Sequence, residues 1–172
     1  MLRVPDSVTD RVEPDTRSQA EPAAERIGWR EWVGLPDLGI RQIKAKVDTG
    51  ARTSAIHAFE LITEERKDGL WVKFGVHPDQ RSEASVIWCE APVKEARVVR
   101  DSGGHEEERL VIETTVRLGE HIWPMEATLT SRDNMGFRML LGRTAIRDRF
   151  AVDPSRSYLI GKKKRKKKTG KQ

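Results

Sequence analysis

Alternating apolar and polar side chains occupy the middle of the chain and predict a mostly β fold. Ile43, Ala45 and Val47 alternate with polar neighbours, which is the two-residue period of a strand that buries one face. Residues 29–35 form a short apolar-rich stretch before them, and the Pro-Asp-Leu-Gly sequence at 36–39 is a turn signal. A short strand that ends in this turn is therefore expected before the alternating one.

Three β-hairpins are predicted after residue 70. The predicted strand pairs are 70–76 with 84–89, 96–100 with 109–113, and 114–118 with 122–129. The turn of the second pair contains Gly103 and Gly104, which permit positive φ. A short helix through Ala145 to Phe150 and a last strand at 158–160 complete the expected elements. Many short strands without an internal repeat predict an all-β domain, closed or sandwich-like.

The two ends of the chain differ in composition from the middle. Residues 1–25 carry three arginines against six acidic side chains and lack periodic apolar positions, so we expect them to be disordered. Residues 162–172 hold eight basic side chains and no acidic one, although the net charge of the chain is only +5. The predicted organisation is therefore a disordered N-terminal segment, a folded domain over 26–161, and a basic disordered tail.

The composition limits the expected cellular location of the protein and the chemistry open to its cysteine. The sequence shows neither an apolar stretch that could span a bilayer nor the apolar core of a secretory signal, so a cytoplasmic protein without a membrane partner is expected. Cys89 is the only cysteine, which rules out an intrachain disulfide and a thiolate metal cluster. Because Cys89 lies in an apolar run, we expect a buried thiol in a strand.

The candidate chemistry lies in Asp48-Thr49-Gly50, directly after the alternating strand. Aspartic proteases activate water with two carboxylates that share one proton, because two like charges so close cannot both ionise. Asp48 would supply one carboxylate, Thr49 a hydroxyl that can join two such loops, and Gly50 a tight turn with an amide directed at the carboxylate. A three-residue match arises often by chance, so an ordinary polar turn is the alternative interpretation.

A second motif, Met139-Leu140-Leu141-Gly142-Arg143-Thr144, places two apolar residues before a glycine, an arginine and the predicted helix. The two motifs, in this order within a β-rich body, resemble a retropepsin. The resemblance implies a retropepsin-like acid protease barrel with one short C-terminal helix, in which Gly142 and Arg143 complete the framework behind the catalytic loop.

The resemblance also implies a flap, a hairpin that closes over the substrate. The hairpin tip Ser102-Gly103-Gly104 would be the end of this flap and would contact the substrate. An ordinary surface hairpin is the alternative for this tip. The chain between the two motifs is longer than in viral enzymes, so the hairpin at 70–90 is either an insertion or itself the flap.

Longer stretches at 27–33, 44–55 and 139–144 resemble a bacterial family of small retropepsin-like proteins. Its members often carry names that describe ATP-dependent zinc proteases, and they are associated with RimK-type glutamate ligases. Where viral retropepsins have acidic residues after Asp-Thr-Gly-Ala, Arg52 follows Ala51 here. The resemblance implies that both residues line the substrate site. Three roles are compatible with Arg52: an ion pair, a contact with an acidic substrate, or stabilisation of the charged form of Asp48. An exposed loop arginine without such a role is the alternative.

Neither zinc nor ATP is predicted as a cofactor. The chain lacks the His-Glu-x-x-His pattern that places two imidazoles on one helix face, and its histidines are widely separated: His57, His77, His105 and His121. The stretch 136–144 is one residue too long for a phosphate-binding loop, has arginine in place of lysine, and is apolar inside.

Three functions are predicted from these observations. The first is peptide hydrolysis by a homodimer, because one Asp-Thr-Gly per chain supplies only half of the carboxylate pair. The family association suggests an acidic substrate, namely glutamate-rich or polyglutamylated protein tails. The second is a non-catalytic peptide-binding module that regulates an ATP-grasp glutamate ligase. The third is association with a ribosome, nucleic acid or glutamate ligase through the basic run Lys162 to Lys171, for which a solubilising tail is the alternative.

Overall fold

The computed structural model describes residues 24–131 and 136–165, and strands make up most of this part of the chain. The described strands are β1 (Glu25–Gly28), β2 (Arg30–Leu35), β3 (Ile40–Asp48), β4 (Ser54–His57), β5 (Phe59–Arg66), β6 (Gly69–Val76), β7 (Ile87–Arg100), β8 (Glu106–Leu118), β9 (His121–Thr130), β10 (Met139–Gly142) and β11 (Phe150–Asp153). A 3-10 turn spans Pro36–Leu38, and a one-turn helix, α1, spans Arg143–Ile146. The all-β prediction with one short C-terminal helix is confirmed.

Nine of these strands form one sheet in the order β2-β3-β10-β4-β9-β8-β7-β6-β5. A further pairing between Gly34 and Arg117 connects β2 with β8, so the six strands from β2 to β8 form a closed ring of neighbours. The remaining strands β7, β6 and β5 extend the sheet beyond this ring. A separate parallel pair joins β1 to β11.

The alternation predicted for β3 determines which of its side chains enter the core. Ile43 and Ala45 are completely buried and Val47 nearly so, whereas Lys46 between them is exposed. The three predicted hairpins are present as β6–β7, β7–β8 and β8–β9. Cys89 is buried in β7, where its thiol contacts the carbonyl of Leu38 at 3.3 Å, as expected.

Four of the predicted elements differ from the structure. The stretches 84–89 and 96–100 belong to one strand, β7, which begins at Ile87. The helix ends at Ile146 rather than at Phe150, because Phe150 begins β11 and pairs with Glu25. The stretches 109–113 and 114–118 are one continuous strand, β8, that serves both hairpins. Residues 158–160 are not a strand, since Tyr158 has a φ of 56° and the segment bonds to β2 by isolated contacts.

Those contacts are organised by Glu31, a carboxylate in β2 with no exposed surface. Its Oε1 accepts hydrogen bonds from the amides of Gly28 and Leu159, both at 2.8 Å, and its Oε2 accepts one from Gly161 at 2.9 Å. A buried carboxylate is tolerated because these amides replace the water it loses. Glu31 therefore attaches the C-terminal segment to the sheet.

The predicted disorder of residues 1–25 and of the basic tail lies almost wholly outside the described residues. The first residues of the tail are described, and the amide of Lys164 donates to Oε1 of Gln42 at 2.8 Å. No helix in the described part of the chain is long and apolar enough to cross a membrane.

Candidate active site

Asp48 is the last residue of β3, and the sheet places it opposite Gly142. The strands β3 and β10 run parallel, with Met139 opposite Ala45 and Gly142 opposite Asp48. β10 lies between β3 and β4. The two motifs recognised in the sequence, separated by most of the domain, therefore meet at one end of the sheet.

The Asp48 carboxylate is oriented by the loop that follows it. Its Oδ1 accepts hydrogen bonds from the amides of Gly50 at 3.0 Å and Ala51 at 3.1 Å. Among the described residues, none donates a hydrogen bond to its Oδ2. Asp48 is half-buried, and Thr49 and Gly50 are exposed. The carboxylate thus has one oxygen held by the backbone and one oxygen available to another molecule.

Gly142 and Arg143 hold in place the loop over residues 48–53, which we name the catalytic loop after the role that the sequence predicts for it. The Arg143 guanidinium donates to the carbonyl of Thr49 at 2.9 Å, and its amide donates to the carbonyl of Ala51 at 2.8 Å. A Cβ added at Gly142 would lie 2.4 Å from the carbonyl carbon of Thr53, so only glycine permits this approach.

Ser54 was missed from the sequence as part of this framework. Its buried hydroxyl accepts a hydrogen bond from the Gly142 amide at 3.0 Å. Ser54 lies within the stretch 44–55 that carries the family resemblance, but its spacing from Gly50 does not reveal that its hydroxyl faces β10.

A groove of about 520 Å³ begins at the far end of the catalytic loop. Arg52 and Thr53 form one wall of the groove. Thr144 of α1 and Arg147, the residue directly after α1, line another part. The indole of the buried Trp123 donates to the carbonyl of Ala145 at 2.9 Å, which attaches α1 to β9. Asp48 does not line this groove, so the groove is adjacent to the carboxylate rather than around it.

Arg97 reaches the groove from β7 and was not predicted as a site residue. Its guanidinium donates to the hydroxyl of Thr53 at 3.3 Å and pairs with Glu95 and with Glu126, the latter at 3.5 Å. Hydrogen bonding to Glu95 raises the pKa of Arg97, and hydrogen bonding to Lys94 lowers the pKa of Glu126. Both groups are therefore charged at neutral pH.

The hairpin predicted as the flap is the β7–β8 hairpin. Its tip is a compact turn in which Oδ1 of Asp101 accepts hydrogen bonds from the amides of Gly103 and His105, both at 2.9 Å. Gly104 has a φ of 82°, as expected for this turn, and Ser102 is exposed. The contact of Arg97 with Thr53 shows that this hairpin passes the catalytic loop.

The alternative flap, the hairpin at 70–90, has its turn near the residues that precede β10. The side-chain amide of Gln80 in this turn donates to the carbonyl of Gly136 at 2.5 Å, and Nε of Arg138 donates to the carbonyl of Asp79 at 3.4 Å. These partners precede β10, whereas Asp48 lies opposite Gly142, where β10 ends.

The cysteine and the histidines occupy separate environments. Burial raises the pKa of the Cys89 thiol to about 12, so the thiolate is scarce at neutral pH. His57 is buried near Arg138, His77 stacks on Phe59, and the other two lie at the hairpin tip and beside Glu25. Within residues 24–131 and 136–165, no three His, Cys, Asp or Glu side chains are grouped so that they could hold a metal ion.

Comparison with known proteins places this geometry in a family. Residues 26–163 match the model of the RimB-like family, described as retropepsin-like aspartic endopeptidase RimB. A solved structure from Legionella pneumophila, the protein Lpg0085 of unknown function, superposes with a TM-score of 0.67 at 26% identity. The match covers 79% of this chain and 98% of the Legionella chain.

Curated relatives carry a different name. Proteins called probable alpha-L-glutamate ligase are 45% identical over 139 residues in Desulfotalea psychrophila and 49% identical over 135 residues in Parasynechococcus marenigrum. The matches cover 81% and 78% of this chain, but only 30% and 29% of those relatives. The family match and the position of Asp48 opposite Gly142 lead to one conclusion: this chain belongs to the RimB-like family of retropepsin-like aspartic endopeptidases.

Proposed function

We propose that the protein is an aspartic endopeptidase that acts as a homodimer on acidic, glutamate-rich or polyglutamylated protein tails. The observation that carries the proposal is the Asp48 carboxylate, held through Oδ1 by two backbone amides while Oδ2 has no partner among the described residues. A carboxylate that is fixed in orientation and open on one side can bind and deprotonate water.

The second carboxylate of the pair comes from a second copy of the chain. A twofold axis through the catalytic loops would bring two Asp48 side chains together. Thr49 is exposed, and its hydroxyl has no partner within the described residues, so it is free to bond to the loop of the other copy. The homodimer thus completes a site that one chain contains only in half.

The reaction in such a dimer needs one proton shared by the two carboxylates. The ionised Asp48 removes a proton from water, and the water oxygen attacks the peptide carbonyl carbon. The protonated Asp48 of the other copy donates its proton to the carbonyl oxygen. Collapse of the tetrahedral intermediate breaks the C–N bond, and the amine leaves with the proton taken from water. As the carbonyl of the acid product forms, its hydroxyl proton returns to the Asp48 of the other copy.

The β7–β8 hairpin is the candidate flap in this proposal. Arg97, near its middle, already contacts Thr53 of the catalytic loop, and the strands continue beyond it to the tip at 102–104. Ala51, Arg52 and the tip are the proposed substrate contacts. The basic run Lys162 to Lys171 is an accessory element that would attract acidic substrates by its charge.

The test is cleavage of glutamate-rich peptides by the wild-type protein and by the Asp48→Asn variant. We expect the variant to lose at least about 1000-fold in kcat/KM, because the amide cannot accept a proton from water. Sedimentation should show the same dimer in both proteins. Full activity in Asp48→Asn would disprove the aspartic mechanism.

A second candidate function is supported by the curated relatives, in which the matched region makes up about 30% of a chain named as a glutamate ligase. A domain carried within such a chain could bind the acidic product and regulate the ligase without hydrolysing it. Wild-type protein that binds glutamate peptides tightly and cleaves none would favour this function.

A further inference from the structure

The groove beside the catalytic loop carries more positive charge than its acidic residues can neutralise. Three arginines line it, Arg52, Arg97 and Arg147, together with the acidic Glu113 and Glu126. Arg97 is paired, as described above. Arg52 and Arg147 are exposed, and neither has an acidic partner among the described residues.

The two acidic side chains of the groove are already occupied. Lys94 lies 3.2 Å from Glu113 and also pairs with Glu126, which in turn accepts from Arg97. These ion pairs neutralise the two carboxylates of the groove. The guanidinium groups of Arg52 and Arg147 therefore present an uncompensated positive charge to whatever enters.

The chemistry of the lining selects a carboxylate as the ligand. A guanidinium offers donors in a planar fork that matches the two oxygens of a carboxylate, and such charge-assisted bonds are stronger than neutral ones. The hydroxyl of Thr144, which also lines the groove, adds a further donor. The volume of the groove, about 520 Å³, lies within the range of ligand-binding clefts.

The position of the groove connects it to the reaction. Thr53 lies at one end of the catalytic loop, and its hydroxyl is held by Arg97. Arg147 follows α1 directly, and α1 begins with Arg143, which holds the carbonyl of Thr49. A peptide bound across Asp48 would place a neighbouring side chain beside this wall.

We propose that the groove is a subsite for an acidic side chain of the substrate, with Arg52 and Arg147 as its carboxylate ligands and Arg97 as a positioning residue that holds Thr53. This inference rests on the proposed function and deepens it. It assigns a substrate-binding role to Arg147, which lies outside the two retropepsin motifs, and to Thr144, the last residue of the second motif.

The experiment measures binding without turnover in the full-length Asp48→Asn protein. Hexaglutamate and hexaglutamine peptides are titrated by calorimetry in about 0.3 M salt, which screens long-range attraction by the basic tail. Arg147→Gln and Arg52→Gln are each expected to weaken hexaglutamate binding about tenfold, which corresponds to one charge-assisted hydrogen bond. Arg147→Lys should recover part of the loss.

The matched control is Arg81→Gln, which removes the same charge from an exposed arginine in the β6–β7 loop, outside the groove. It should change the affinity less than twofold. Equal binding of hexaglutamine, no detectable binding of hexaglutamate, or equal losses in Arg147→Gln and Arg81→Gln would each overturn the subsite.

Cleavage assays on the wild-type background separate this inference from the proposed function. If peptides are cleaved but Glu is not preferred over Gln, the subsite is wrong and the protease proposal stands. If hexaglutamate binds through Arg147 but the wild type cleaves no peptide, the protease proposal is wrong and the subsite stands.

The positioning role of Arg97 is tested with Thr53→Val, which removes the hydroxyl that Arg97 holds. A fall in kcat larger than the rise in KM would support this role, and an unchanged kcat would contradict it.

Discussion

Asp48 and Glu31 are both carboxylates on neighbouring strands, yet the structure uses them in opposite ways. Glu31 has no exposed surface, and both of its oxygens accept backbone amides. Asp48 stands at a strand end, with Oδ1 bound by two amides and Oδ2 without a partner in the described part of the chain. A saturated carboxylate stabilises the fold, whereas one with a spare oxygen can act on water.

The largest expected effect is the loss of peptide cleavage in Asp48→Asn. Its side chain keeps the shape of aspartate, and its oxygen can still accept from Gly50 and Ala51, so the free energy of unfolding should change by less than about 1 kcal/mol. Peptide cleavage should nevertheless be lost. Denaturant unfolding beside the cleavage assay checks both parts, and a strongly destabilised variant would mean that Asp48, like Glu31, is structural.

Gly142→Ala should destabilise the protein by about 3 kcal/mol, because the new methyl group would overlap the Thr53 backbone at 2.4 Å. The matched control is Gly50→Ala, whose methyl would meet only Oδ1 of Asp48, at 3.3 Å. We expect Gly50→Ala to fold well and to lose activity. Thermal unfolding distinguishes the two variants, and similar melting temperatures would contradict the framework role of Gly142.

Glu31→Gln should cost about 2 kcal/mol of stability, since its NH₂ group would face backbone amides that need an acceptor. The activity of the folded fraction should remain within about twofold of the wild type, because Glu31 does not contact the catalytic loop. Urea unfolding followed by Trp fluorescence measures the cost. A loss of kcat without a loss of stability would break the distinction between the two carboxylates.

Thr49→Val should have the smallest effect on the single chain and appear only in assembly. The substitution keeps the shape of threonine and removes the hydroxyl proposed to bond to the second copy. We expect the dissociation constant of the dimer to rise about tenfold and the stability of the monomer fold to stay unchanged. Analytical ultracentrifugation over a concentration series provides the measurement, with Thr49→Ser as the control that retains the hydroxyl.

The predictions that succeeded rest on local causes. The alternation in β3 and the glycine turn at 101–104 depend on neighbours in the chain, and both are confirmed. Two missed elements, β1 and β11, pair with each other across the chain, and Phe150 therefore enters a strand instead of extending the helix. Strand β5 was also missed although it pairs with β6 next to it, because its side chains are mostly exposed and show no alternating burial. The stretch 158–160 looked like a strand because it is apolar, but its amides bond to Glu31 and Arg30 instead of a strand ladder.

The sequence by itself determined the β class of the protein, the strand before Asp48 and the glycine-containing loop after it, because period and turn chemistry act over a few residues. Only the tertiary structure decided that Asp48 meets Gly142, that Ser54 bonds to β10, and that Arg97 reaches Thr53. It also decided that Glu31 binds an amide 128 residues away. These contacts depend on the order of strands in the sheet, which the local pattern of side chains does not encode.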